Sequence, residues 1–74
     1  MPATIPAVPG ARVVAALKRA GFEVARINGS HHVMKHPDGR TVSVPVHAYD
    51  MRKGTLRNIL AIIGMTPDEL RDLL

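Results

Sequence analysis

The stretch Phe22-Glu23-Val24-Ala25-Arg26-Ile27-Asn28-Gly29-Ser30-His31-His32-Val33-Met34-Lys35-His36-Pro37-Asp38-Gly39-Arg40-Thr41-Val42-Ser43-Val44-Pro45-Val46 decides the fold. Two turn signals divide it into three short strand-forming runs. Asn28-Gly29 signals a tight hairpin, because both residue types tolerate positive φ. Pro37-Asp38-Gly39 is the second turn, with proline presetting φ and glycine free to adopt an unusual one. Residues 22–27 mix β-formers with polar residues and predict strand one. Residues 31 to 35 or 36 predict strand two. Residues 41–46 alternate apolar and polar strictly, the pattern of a half-buried strand. Pro45 withholds one ladder donor, so strand three is an edge or ends there.

Working outward, residues 10–20 predict a helix. Val13, Val14, Leu17 and Ala20 recur at helical spacing, with Arg12, Lys18 and Arg19 on the other side, and Gly21 suits a left-handed cap. Beyond strand three the chain loops through Tyr49 and Asp50. Thr55 is positioned to cap a second helix carrying Leu56, Ile59, Leu60 and Ile63 on one face, closed by Gly64. Thr66-Pro67-Asp68-Glu69 is a capping box with proline at the first helical position, predicting a short last helix with Leu70, Leu73 and Leu74. The expected fold class is α+β. It is an α-β-β-β-α sandwich: a three-stranded antiparallel sheet, helices on one face, a short extra C-terminal helix, and the other sheet face open to solvent. This order also describes the double-stranded-RNA-binding fold, whose members read RNA by shape and phosphate contacts. Topology by itself assigns no activity.

A chain of 74 residues holds one domain. Residues 1–9, with Pro2, Pro6 and Pro9, read as a flexible N-terminal lead-in, leaving 10–74 as the domain. The absence of cysteine excludes disulfides, a thiolate zinc site and a thiol nucleophile. No run approaches the roughly 20 apolar residues of a membrane span, and the N-terminus lacks the basic and apolar regions of a signal peptide. A soluble, cytoplasmic protein without membrane association is expected. The net charge is +4, but residues 1–65 carry nine basic against three acidic side chains, a net of +6. Such an excess attracts polyanions, and it also serves simply as a solubilising surface.

Three of the four histidines, His31, His32 and His36, lie within six residues. Histidine titrates near neutrality and can take or give a proton at working pH. His31, Val33 and Lys35 share one strand face, and His32, Met34 and His36 share the other. Spacing does not say which face the helices cover, and it makes none of the histidines catalytic. A metal site is disfavoured: His32 and His36 are about 13 Å apart on a strand. No cofactor is implied. Gly29 and Ser30 can present backbone N–H groups and a hydroxyl to a phosphate. Arg26, Lys35 and Arg40 are candidates for a phosphate-binding patch, or for an ordinary solvated face. His47 either lines the same site or ends strand three. Tyr49 either stacks on a base or packs locally.

Four segments together resemble the HicA toxin family, also called YcfA-like mRNA interferases. They are Leu17-Lys18-Arg19-Ala20-Gly21-Phe22-Glu23, then Gly29-Ser30-His31-His32 with Lys35-His36-Pro37-Asp38-Gly39-Arg40, then Val42-Ser43-Val44-Pro45-Val46-His47, and Lys53-Gly54-Thr55-Leu56-Arg57-Asn58-Ile59-Leu60. The resemblance spans about residues 11–70. It implies the double-stranded-RNA-binding-like fold and a small stress-response toxin that cuts mRNA without a metal. It further implies a HicB-type antitoxin that binds the toxin and blocks its site. By the common Gly-Ser-His form the catalytic histidine corresponds to His31; in relatives with the histidine one position later it corresponds to His32. The segment His47–Arg52 departs from the family in carrying Tyr49 and Asp50, where polar or basic residues are common.

The chemistry suits these residues. RNA carries its own nucleophile, the 2′-OH, and a histidine can act as its general base or protonate the 5′-leaving oxygen, worth about 10²–10⁴-fold. Lys35, Arg26 or Arg40 can stabilise the charge that develops on the phosphate. The alternative from another class is a non-catalytic basic RNA-binding module, in which the histidines are contacts only.

Overall fold

The computed structural model describes residues 5–74. The order is α1 (Gly10–Arg19), β1 (Glu23–Asn28), β2 (His31–Lys35), β3 (Thr41–Pro45), α2 (Lys53–Ile63) and α3 (Pro67–Leu73). The strands form one antiparallel sheet in the order β1-β2-β3, so the α+β sandwich read from the sequence is the fold observed.

Each turn works by its glycine. The β1–β2 loop is the pair Gly29-Ser30, one residue later than Asn28-Gly29, and Asn28 belongs to β1. Gly29 has φ +62° and no non-glycine residue is positive among those described, which is the pattern of a type II′ turn. At the second turn the Gly39 N–H donates to the His36 carbonyl and the His36 N–H to the Arg40 carbonyl. Gly39, at φ +99°, takes the left-handed position there.

β3 is an edge strand. Val46 N–H donates to the Ser30 carbonyl at 2.7 Å, so alternate residues donate toward β2 and the missing donor of Pro45 falls on the free edge. The core lies between the sheet and the helices. Met34, Val42 and Val44 project from the sheet, Val13 and Leu17 from α1, Leu56 and Ile63 from α2, and Leu70 from α3, all buried together with Phe22.

One expectation needs correction. Thr55 does not cap α2: the helix starts at Lys53 with Arg52 as N-cap and no side-chain cap bond. The start is set by tertiary anchoring. Buried Met51 donates its N–H to the Val8 carbonyl at 2.9 Å, and the Leu56 N–H then closes the first turn on Arg52. The expected flexible lead-in covers residues 1–9, of which 1–4 lie outside the described residues. Val8 is a core residue, 5% exposed, and Pro9 bridges Asp50. The capping box of α3 forms as read, with Thr66 and Glu69 bonding each other's backbone N–H groups.

Candidate functional site

The register of the sheet sorts the candidate residues. His32 pairs with Val44 and Met34 with Val42, so these face the helices; His31 pairs with Pro45, Val33 with Ser43 and Lys35 with Thr41, on the open face. His31 is accordingly exposed and His32 half-buried. The His32 Nδ1 is buried with no hydrogen-bond partner.

Strand β1 would put Arg26 beside Val24, facing the helices, if it alternated regularly. A bulge between Val24 and Arg26 shifts the register: Val24 pairs with Met34, but Arg26 pairs with Val33. Arg26 therefore emerges on the open face, opposite the residue midway between His31 and Lys35. Diagonal neighbours on such a face stand about 7–8 Å apart, within reach of a long side chain. The open face thus collects His31, Arg26 and Lys35, with Glu23 opposite Lys35 as its carboxylate. Gly29 and Ser30 form the adjoining turn.

Arg40, placed with them by the sequence, is elsewhere. Its guanidinium donates to Asp38 at 2.8 Å and to the Ile63 carbonyl at 2.6 Å, and lies 5.1 Å from the centre of the Phe22 ring. His36 packs edge-on against the same ring at 5.0 Å. Its Nδ1 is 3.1 Å from the Asp38 N–H and 3.0 Å from Asp38 Oδ1, so it accepts from the amide when neutral and donates to the carboxylate when protonated. The Asp38 carboxyl is held below its ordinary value, chiefly by the Arg40 backbone N–H and then by the Arg40 side chain, with some opposing desolvation. These residues lock the second turn onto the core.

At the other end of β3 is a feature the sequence did not reveal. A cavity of about 240 Å³ is lined by Gly10, Pro45, Met51, His47, Tyr49 and Arg52. Thr55 completes the lining. The His47 and Tyr49 rings are stacked, 5.0 Å apart and 7° from parallel. Pro45 belongs both to this cavity and to the row containing His31. The only sequence signal was the His47–Arg52 segment, whose placement depends on long-range bonds to Val8 and Pro9.

Among the described residues no group of three or more His, Cys, Asp or Glu side chains is arranged to hold a metal ion, and no helix is long and apolar enough to cross a membrane. No curated protein matches the sequence. The family model described as HicA toxin of bacterial toxin-antitoxin matches residues 10–65, which run from the first residue of α1 past the end of α2. By that match, over most of its length, the chain belongs to the HicA toxin family of bacterial toxin–antitoxin systems.

Proposed function

We propose that this toxin is an endoribonuclease that cuts mRNA in the cytoplasm, with His31 as its proton-transfer residue and no metal. The observation that carries the reading is the setting of His31: exposed on the uncovered sheet face, with Arg26 and Lys35 ranged along the same face. His32, half-buried toward the helices, is the second candidate. Arg26 and Lys35 bind the scissile phosphate, with the Gly29-Ser30 turn beside them. His31 takes the 2′-OH proton; the 2′-oxygen forms a bond to phosphorus, the bond to the 5′-oxygen breaks, and that oxygen leaves with a proton from the imidazolium or water. The products are a 2′,3′-cyclic phosphate and a 5′-hydroxyl end. The two cations stabilise the charge gathered on phosphorus as the bonds exchange.

A toxin of such a system has an antitoxin partner. We take that partner to be of the HicB type, covering the open face and so excluding RNA from His31.

The test is cleavage of an unstructured RNA in EDTA by wild type, His31→Ala and His32→Ala, with growth arrest on induced expression scored alongside. Wild type is expected to yield cyclic-phosphate ends and His31→Ala to lose at least about 10²-fold in rate. RNA bound but uncut by wild type would leave the non-catalytic binding module. Loss with His32→Ala alone would move the catalytic role to that residue.

A further inference from the structure

We propose that the cavity beside His31 seats an unpaired base of the RNA, so that the site takes single strands and not duplexes. The proposal rests on the ribonuclease reading and deepens it, naming the form of the substrate and adding Tyr49, His47 and Arg52 as binding residues.

Position comes first. Pro45 stands directly opposite His31 and is also a wall of the cavity, so the cavity begins one strand spacing, about 4.8 Å, from the strand that carries His31. A nucleotide chain with its phosphate at His31 has its neighbouring base within reach of that hollow.

Chemistry comes second. Tyr49 is 64% exposed although it is a large aromatic. Its ring lies parallel to the exposed ring of His47. A solvent-facing ring is what an unstacked base needs, since every base offers a π-face to an aromatic platform. Buried Met51 and the side-chain-free Gly10 supply apolar surface.

Charge comes third. Arg52 on the cavity wall makes no ion pair or side-chain hydrogen bond among the described residues, and Lys53 follows it. The carboxylate in this segment is Asp50, whose residue is bridged to Pro9 and does not line the cavity. A backbone phosphate beside the seated base therefore meets a cation. Bases inside a duplex are stacked on each other and cannot enter; bases of a single strand can be splayed out.

The chain has a single tyrosine, so replacing it by 3-fluorotyrosine places one fluorine resonance at the cavity. The probe is an unstructured 2′-O-methyl RNA of about eight nucleotides, a length typical of single-strand sites, offered alone and as a duplex with its complement. Affinity is read in parallel by fluorescence anisotropy, and cleavage on unmodified RNA. The resonance should move with the single strand and not with the duplex. Tyr49→Ala should weaken single-strand binding about 10-fold, and Tyr49→Phe, which keeps the ring, should restore it. Binding that depends on Arg26 and Lys35 while the resonance stays still and Tyr49→Ala binds like wild type would overturn the proposal and leave the ribonuclease standing. Equal affinity for the duplex would overturn it too. Absence of His31-dependent cleavage would remove the underlying reading.

Discussion

Gly10 and Pro45 are in backbone contact: a Cβ built on Gly10 would overlap the Pro45 carbonyl oxygen. The first residue of α1 thus rests on the last residue of β3, which pairs with His31 and stands on the wall of the cavity. The obstructing atom is backbone, so neither side can rotate away. Gly10→Ala is expected to destabilise the fold by about 1–3 kcal/mol, the usual cost of overpacking a close contact. Urea unfolding followed by circular dichroism measures it. A stability within error of wild type would mean that α1 shifts freely against the sheet.

His31 and His32 respond to mutation differently because they face opposite ways. His31→Ala, on an exposed position, is expected to change stability by no more than about 0.5 kcal/mol, so lost cleavage there is not lost folding. His32 buries an Nδ1 that has no partner. An unpaired buried polar atom carries a desolvation penalty that an apolar side chain lacks. His32→Leu is therefore expected to be neutral or stabilising, by up to about 1 kcal/mol. Thermal midpoints of both variants test this, and a large loss with His32→Leu would show that its ring makes a polar contact in solution.

Two arginines that look alike in the sequence should separate in a salt titration. Arg26 stands on the open face, whereas Arg40 is committed to Asp38 and the Ile63 carbonyl. Removing one phosphate contact lowers the slope of log K against log salt by about 0.7 for a single strand. Arg26→Gln should show that change with little effect on stability. Arg40→Gln should keep the wild-type slope and lose about 1–3 kcal/mol of stability, the cost of stripping charged hydrogen bonds from a turn and a helix end. The reverse assignment would place Arg40 in the RNA site.

Asp38 gives the fold an acid-sensitive element. Its folded-state carboxyl lies below the ordinary value of 3.8, chiefly because the Arg40 N–H bonds the ionised form. A group depressed in this way stabilises the fold fully above its unfolded value and loses that contribution as the pH falls through its folded value. Unfolding free energies of wild type and Asp38→Asn should therefore differ at pH 7 and converge below about pH 4. A difference that persists unchanged into acid would mean that the carboxylate charge plays no part in holding the turn.

Much of the molecule follows from local sequence. The three strands are set by Gly29, Gly39 and the alternation of residues 41–46, because turn chemistry and period-two patterning act over a few residues. The last helix follows from the Thr66–Glu69 capping box for the same reason. The four segments that resemble the toxin family are also legible in the chain, and the match over residues 10–65 agrees with them. Three things were settled only by tertiary packing. The helices chose the Met34 face of the sheet, which exposed His31 and half-buried His32; alternation separates the two but carries no sign. The bulge between Val24 and Arg26 moved Arg26 to the open face, because β1 had to keep Val24 over the core while continuing its ladder to Asn28. The cavity of Pro45, His47 and Tyr49 exists because Val8 and Pro9 pin Met51 and Asp50 across a gap of some forty residues. Short-range preferences thus wrote the elements, and contacts between residues far apart in the chain decided which side chains meet at the site.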